Sequence, residues 1–144
     1  MLLYLDTSAL TTLVVEEPQT NALRSFLSTR GGHRLVTSAL VRTELRRSVL
    51  RFAARPDVPV ERAEAAALEA SSLLRRLDLV RVGAGVLERA GHQPPAALPS
   101  LDAIHLATAL ELGEDLAAVV AYDSRLAAAA LAAGLRVEAP TPPP

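Results

Sequence analysis

Four acidic residues occupy positions in the sequence where carboxylates could act together. Two of them follow short apolar runs: Asp6 comes directly after Leu3-Tyr4-Leu5, and Asp123 comes directly after Val120-Ala121-Tyr122. Such runs predict buried strands, and the carboxyl ends of parallel strands meet at one edge of a sheet. The alternative for either residue is a helix N-cap, a role that Asp fills well and that adds about 1 kcal/mol. Two acids at the same edge favour a shared site.

Glu44, the third acid, lies within the apolar stripe of a predicted helix, four residues after Leu40 and three after Val41. Its side chain is therefore expected to point inward, where an ionised carboxylate is costly unless it is paired or binds a metal. The alternative is a Glu at the edge of the stripe that pairs with Arg47 or Ser48.

Asp102, the fourth acid, falls in the first turn of a predicted helix for which Ser100 is the expected N-cap. The helix dipole favours an acid there by roughly 0.3–1 kcal/mol, so the position alone indicates little. The surrounding stretch, residues 101–109, is almost entirely apolar apart from Asp102 and His105. These two residues lie one turn apart, so they either face a functional site or form a hydrogen bond with each other. Because a hydrogen-bonded core His is the more common case, His105 is not assigned to catalysis.

Converging carboxylates predict a site for Mg²⁺ or Mn²⁺, which prefer oxygen ligands and assist phosphodiester hydrolysis by activating water and neutralising charge. The chain has no Cys, and all 15 of its basic residues are Arg. These absences exclude disulfides, thiolate sites, P-loop NTPases and Schiff-base chemistry, and make zinc a poor fit. The net charge of −1 gives no global sign of a nucleic-acid partner.

The elements that must position these acids alternate between strand and helix. Strands are predicted at Leu2–Leu5, Arg34–Thr37, Leu79–Val82, Leu116–Tyr122 and Leu135–Val137. Helices are predicted at Thr7–Glu17, Gln19–Ser28, from Ser38 to before Pro56, Glu61–Arg76, Ser100–Leu112 and Ser124–Ala133, with a Pro-rich loop at 91–99. This alternation predicts an α/β fold with a parallel sheet covered by helices on both faces.

The length of 144 residues fits one domain, for which we expect residues 1–139, followed by a frayed Pro-rich tail at 140–144. No apolar run approaches the roughly 20 residues that a membrane helix requires. The N-terminus lacks the basic start of a secretory signal, so a soluble cytoplasmic protein is expected.

Four segments of the chain resemble the four acidic motifs of VapC-type toxins of the PIN-domain family. They are Tyr4-Leu5-Asp6-Thr7-Ser8-Ala9-Leu10, Thr37-Ser38-Ala39-Leu40-Val41-Arg42-Thr43-Glu44-Leu45, Ser100-Leu101-Asp102-Ala103-Ile104-His105-Leu106-Ala107-Thr108-Ala109 and Ala121-Tyr122-Asp123-Ser124-Arg125-Leu126. They occur in the order of the family and span nearly the whole chain. Any one of these motifs is weak evidence, but four in order form a strong signal.

The resemblance implies a three-layer α/β/α fold with a mostly parallel, roughly five-stranded sheet, and Mg²⁺- or Mn²⁺-dependent endoribonuclease activity. If the roles of the family's acidic residues are transferred to the matching positions of this sequence, the acidic pocket would consist of Asp6, Glu44, Asp102 and Asp123. The three Asp residues would be the metal ligands. Supporting groups would come from Thr7, Ser8, Ser124 and Arg125. The resemblance also implies a homodimer and a cognate antitoxin that holds the toxin inactive.

RNA contacts are expected from arginines near the acids. On the Glu44 helix these are Arg42 and Arg46, with Arg47 and Arg51 beside them, and Arg125 adjoins Asp123. The alternative for each Arg is a solvated charged face that pairs with nearby acids.

Two other enzyme classes place an Asp at the end of the first strand. A haloacid-dehalogenase-like enzyme requires Asp-x-Asp, but position 8 is Ser, and both this class and receiver domains need a Lys that the chain lacks. A further alternative is a PIN-like binding module without turnover, which binds RNA or represses its own operon in complex with its partner. The presence of all four acids favours the enzyme, and a metal-dependent RNA cleavage assay distinguishes the two.

Overall fold

The computed structural model describes residues 1–144 as a five-stranded sheet flanked by helices. The strands are β1 (Leu2–Leu5), β2 (Arg34–Ser38), β3 (Asp78–Val80), β4 (Leu116–Val120) and β5 (Val137–Glu138). The helices are α1 (Thr7–Val14), α2 (Thr20–Ser28), α3 (Val41–Ala53), α4 (Val60–Arg76), α5 (Ala84–Gly91), α6 (Ser100–Glu111) and α7 (Ser124–Ala132), with a short 3₁₀ turn at Gly113–Asp115.

All neighbouring strands pair in parallel, in the spatial order β3-β2-β1-β4-β5. The predicted α/β fold with a parallel, five-stranded sheet is confirmed. From β1 the chain builds outward to one side through β2 and β3, and later returns to the other side of β1 through β4. In such sheets the crevice where the order reverses, between β1 and β4, is the usual place for a functional site.

The core has two layers because side chains of a strand alternate between the faces of the sheet. Leu3 and Leu5 of β1 join the larger cluster, which also contains Leu10 of α1 and Leu45 of α3, whereas Tyr4 joins the second. That second cluster lies beneath α6 and α7. Helices therefore cover both faces, which is the three-layer arrangement that the resemblance implied.

Every predicted strand and helix is present, with ends that differ by a few residues. Two details were wrong or missed. Ser100 is not the cap of α6: it is the first helical residue, and Pro99 holds the N-cap position without a side-chain hydrogen bond. Helix α5 was not predicted; it has only eight residues and buries only Val86 and Ala90, so its apolar pattern extends over little more than one turn.

Residues 139–144 have no regular secondary structure, and the carbonyl of Pro140 accepts a hydrogen bond from the Tyr122 hydroxyl at 2.7 Å. The domain boundary at residue 139 stays a prediction. None of the helices combines the length and the apolar character that a membrane crossing requires.

Candidate active site

Asp6 and Ser8 join the ends of the two central strands. Asp6 is 4% exposed and forms the N-cap of α1, where its Oδ2 accepts hydrogen bonds from the Ser8 backbone N–H at 3.2 Å and the Ser8 hydroxyl at 2.7 Å. The same hydroxyl oxygen accepts a hydrogen bond from the Tyr122 backbone N–H at 2.9 Å. Ser8 therefore fixes the Asp6 carboxylate relative to the chain that leads from β4 to Asp123.

Asp123 is the N-cap of α7, and its Oδ1 accepts hydrogen bonds from the backbone N–H groups of Arg125 at 2.9 Å and Leu126 at 3.0 Å. Its other oxygen lies 3.6 Å from the Arg125 guanidinium. Both acids at the strand ends thus cap helices, as the alternative interpretation had it, and both also lie at one edge of the sheet. The Asp6 backbone N–H, which donates to the Val120 carbonyl at 3.0 Å, joins the two strand ends directly.

Glu44 points inward from α3, as its place in the apolar stripe predicted. Its Oε1 accepts hydrogen bonds from the Thr7 hydroxyl at 3.0 Å and from His105 Nε2 at 2.6 Å. Burial disfavours the charged carboxylate, but the His105 hydrogen bond and charge outweigh that cost and lower the pKa of Glu44. The alternative pairing with Arg47 or Ser48 does not occur.

His105 connects three of the elements around the site. The imidazole is 1% exposed; Nδ1 shares a hydrogen bond with the Tyr4 hydroxyl at 2.6 Å, and Nε2 lies 3.7 Å from Asp6 Oδ1. Burial opposes protonation, yet the hydrogen bond to Glu44 and the charge of Asp6 prevail and raise the pKa of His105. His105 is therefore the core His with satisfied hydrogen bonds that the sequence suggested, and it also holds Glu44.

Asp102 faces the other two Asp residues from the first turn of α6. Burial raises its pKa, and the negative charges of Asp123 and Asp6 raise it further. Neither Arg125 nor His105, which act in the opposite direction, compensates for these effects. Asp102 is thus a partly buried carboxylate that the surrounding charge leaves electrostatically unsatisfied.

The chemistry of these donors fits a hard divalent cation. Asp6 Oδ1, Asp123 Oδ2 and both Asp102 oxygens are free of hydrogen bonds within the protein, and oxygen ligands with negative charge suit Mg²⁺ and Mn²⁺. As placed in this structure, no three carboxyl or imidazole groups stand close enough together to hold one ion. A cation would therefore have to draw the carboxylates inward, and Asp102 is the one least held in place.

The arginines expected to contact RNA lie in two places. Arg42 and Arg46 line a groove of about 550 Å³ between α3, α4 and β3, together with Arg75. The one acid of that groove, Asp78, is already paired with Arg34 at 2.8 Å. Arg125 adjoins Asp123, and Ser124 is the exposed first residue of α7. The groove is thus a basic surface separate from the acids.

Comparison with known proteins gives the family. The PIN domain family model matches residues 3–132. Two relatives from Mycobacterium tuberculosis extend the similarity over nearly all of both chains. Ribonuclease VapC46 is 43% identical over 139 residues, covering 96% of this chain and 98% of the relative, and Ribonuclease VapC35 is 41% identical over 143 residues, covering 96% and 97%. The chain belongs to the PIN-domain family, and the resemblance to VapC ribonucleases that the four motifs carried is confirmed.

Two solved structures share the fold. One is the crystal structure of VapBC2 from Rickettsia felis bound to a DNA fragment from its promoter, with a TM-score of 0.70 at 15% identity, covering 96% of this chain and 98% of that one. The other is Mycobacterium tuberculosis VapC20, described as a sarcin-ricin loop cleaving toxin, with a TM-score of 0.64 at 20% identity, covering 92% and 95%.

Proposed function

We propose that this protein is a metal-dependent endoribonuclease and the toxin of a toxin–antitoxin pair. The observation that carries the proposal is that Asp6 and Asp123, the N-caps of α1 and α7, both act on Asp102, whose pKa is raised by burial and by these two charges. A set of carboxylates that repel one another is suited to a cation. Similarity to VapC ribonucleases along the whole chain supports RNA as the substrate.

In this proposal Asp6, Asp102 and Asp123 hold Mg²⁺ or Mn²⁺. The bound cation supplies an activated water and neutralises charge on the scissile phosphate. Ser8 keeps the Asp6 carboxylate oriented, and the first turn of α7 keeps Asp123 oriented through two backbone hydrogen bonds. Preorganised ligands lose little freedom when the cation and the substrate arrive.

Glu44 is proposed as the fourth member of the catalytic set. Its Oε1 is fixed by Thr7 and His105, which leaves Oε2 to orient the attacking water. Since its pKa is lowered, Glu44 carries its charge at neutral pH. Thr7 acts in this scheme as a positioning residue, because it contacts Glu44 rather than the substrate.

The arginines are proposed to hold the RNA backbone. Arg42 and Arg46 would contact phosphates from their groove, while Arg125 and Ser124 would contact the strand beside Asp123. Because phosphate contacts release counterions, replacing Arg46 with Ala should weaken RNA binding and reduce its dependence on salt.

The proposed partners are a cognate antitoxin and a second copy of the chain, and the proposed location is the cytoplasm. The fold neighbour from Rickettsia felis is a VapBC complex, which supports an antitoxin as partner. A basic antitoxin segment suits the acidic crevice, because a guanidinium pairs bidentately with a carboxylate. Expression of the protein alone should arrest growth, and co-expression of the adjacent antitoxin gene should relieve the arrest.

The second candidate function is a PIN-like module that binds RNA or its antitoxin with little turnover. The observation that favours it is that no three carboxyl or imidazole groups are close enough to hold an ion as they are placed. Under this alternative the acids would serve to bind a basic partner segment, and RNA would bind without being cleaved.

A cleavage assay separates the two. Purified protein is incubated with single-stranded RNA in Mg²⁺, in Mn²⁺ and in EDTA, and Asp102→Asn is compared with the matched control Asp115→Asn, an exposed Asp outside the site. We expect cleavage only with metal, a loss on the order of 10³-fold in Asp102→Asn from several kcal/mol of lost charge stabilisation, and no change in the control. Cleavage in EDTA, or full activity in Asp102→Asn, would refute the proposal.

A further inference from the structure

An apolar cavity of about 430 Å³ lies between the loop 92–99 and α7. Pro94, Pro95 and Leu98 form one wall, and Ala128 and Ala132 form part of the other. Pockets for small organic groups begin at about 300 Å³ and combine apolar walls with a few polar groups. The volume and the walls of this cavity therefore suit a small, flat, mostly apolar group.

The cavity is connected to the acidic site through the two elements that form its walls and through Arg125. The loop 92–99 leads directly into α6, whose first turn carries Asp102, and α7 begins directly after Asp123. Arg125 belongs to both places: it lines the cavity, and its guanidinium lies 3.6 Å from Asp123 Oδ2. Whatever occupies the cavity is consequently held next to the carboxylates.

The cavity is lined by two polar side chains, Arg125 and Gln93, and Gln93 indicates what kind of group fits. Gln93 bonds to the protein only through its backbone N–H, which donates to the Ala90 carbonyl, so its side-chain amide in the cavity has no protein partner. An aliphatic side chain of a partner protein would pack against the walls. It would cover the Gln93 amide without offering a hydrogen bond, and this costs binding free energy. A nucleobase has two apolar faces, which can pack on the walls, and a polar edge, which can hydrogen-bond to the Gln93 amide.

We propose that this cavity binds the nucleobase next to the phosphodiester that is cleaved at the acidic site. The faces of the base pack on Pro94 and Ala128, the guanidinium of Arg125 stacks at the rim, and the Gln93 amide hydrogen-bonds to the edge of the base. This inference rests on the proposed function. It adds that the protein selects its cleavage site by an unstacked base, and that Gln93 and Ala128 are specificity-determining residues.

The test combines a change in the cavity with a change in the RNA. Ala128→Leu fills the cavity from an exposed helical position, and Ala67→Leu makes the same change at an exposed position of α4 outside the cavity. The cleavage site of the wild type is first mapped on a pool of single-stranded RNA of random sequence. Short RNAs are then made with each of the four bases, or with an abasic ribose, on either side of the mapped bond, and kcat/KM is measured for each.

For the wild type we expect an abasic ribose on one side of the bond to lower kcat/KM by at least about tenfold, the lower end for a filled apolar pocket. Ala128→Leu should lose a similar factor on the preferred base and lose nothing further on the abasic RNA, while Ala67→Leu behaves as the wild type. Gln93→Ala should reduce the differences in kcat/KM among the RNAs that carry each of the four bases beside the mapped bond.

Three results would overturn the inference. The first is a wild type that cleaves abasic and complete RNA equally well on both sides of the bond. The second is an Ala128→Leu variant that loses the same factor on every RNA, the abasic one included. The third is an Ala128→Leu variant with unchanged cleavage but weakened inhibition by the antitoxin, which would assign the cavity to a protein partner. A wild type that cleaves none of the RNA pool refutes the proposed function itself, so the two failures are distinguishable.

Discussion

On the β1 side of the site, Asp6 and His105 are buried, and His105 hydrogen-bonds to the half-buried Glu44, whereas on the α6–α7 side Asp102 and Asp123 are both half-buried. The side chain of His105 is 1% exposed and that of Asp6 is 6%, against 30% for Asp123. In the first group His105 hydrogen-bonds to Glu44 and lies 3.7 Å from Asp6 Oδ1, while Arg125 and His105 do not offset the effects that raise the pKa of Asp102. The first group is therefore held by contacts within the protein, and the second is held less completely.

The difference separates a part of the site that contacts within the protein hold in place from a part whose carboxylate oxygens stay free. Hydrogen bonds from Thr7 and His105 fix the Glu44 carboxylate within the protein. Asp102 and Asp123 keep oxygens that accept no hydrogen bond from the protein, and burial, together with the charges of Asp123 and Asp6, raises the pKa of Asp102. Substitutions on the two sides should consequently have opposite effects on stability.

The largest effect is expected at His105. Replacing His105 with Leu keeps the volume but leaves Glu44 and the Tyr4 hydroxyl without their partner, and we expect a loss of about 3 kcal/mol in the free energy of unfolding. This value is at the low end for a broken buried pair, since the Glu44 side chain keeps 21% exposure. Glu44→Gln is the matched control: its amide still bonds to Thr7 and His105, so about 1 kcal/mol is expected. If urea denaturation gives His105→Leu and Glu44→Gln equal losses in the free energy of unfolding, His105 and Glu44 do not form a charged pair.

The same pair predicts a dependence of stability on pH. His105 has a raised pKa in the folded protein. Its contribution to the free energy of unfolding is therefore complete below its unfolded-state pKa of about 6.5 and is lost as the pH rises through its folded-state pKa. Glu44 has a lowered pKa, so its contribution is present above about 4.3 and is lost as the pH falls through the folded value. The stability difference between wild type and His105→Leu should be larger near pH 5.5 than near pH 9, measured by urea denaturation in EDTA. A difference that is constant across this range would exclude the ion pair.

The sequence predicted the positions of these residues better than their contacts. The strand ends and the apolar stripe of α3 were sufficient to bring Asp6, Glu44 and Asp123 to one edge, because parallel topology and helical periodicity are local rules. The Tyr4–His105 hydrogen bond joins residues 101 positions apart, and no periodicity reports such a contact. The sequence therefore indicated a hydrogen-bonded core His at position 105 but not its partners, Tyr4 and Glu44. The only sequence signal was its one-turn spacing from Asp102 in an apolar helix.

The smallest effect is expected at Asp102, with the opposite sign. Since burial and two neighbouring charges raise its pKa, the ionised form destabilises the fold, and its penalty grows as the pH rises through the folded pKa. In EDTA at neutral pH, Asp102→Asn should therefore be at least as stable as the wild type. Loss of the favourable helix dipole opposes this gain by roughly 0.3–1 kcal/mol. A variant destabilised by clearly more than that amount in a chemical melt would mean that Asp102 has a protein partner.

We expect a cation to bind across both sides of the site and to use the free carboxylate oxygens of Asp102 and Asp123. The most direct measurement is a thermal melt of wild type, Asp102→Asn and the surface control Asp115→Asn, each in EDTA and in Mn²⁺. An ion bound only by the folded state adds about 2.7 kcal/mol at a hundredfold excess over its dissociation constant, which is roughly 8 °C for a domain of this size. We predict that rise for the wild type and the control, and a much smaller one for Asp102→Asn. If Mn²⁺ shifts none of the three melts, or shifts all three equally, these carboxylates do not form a shared metal site.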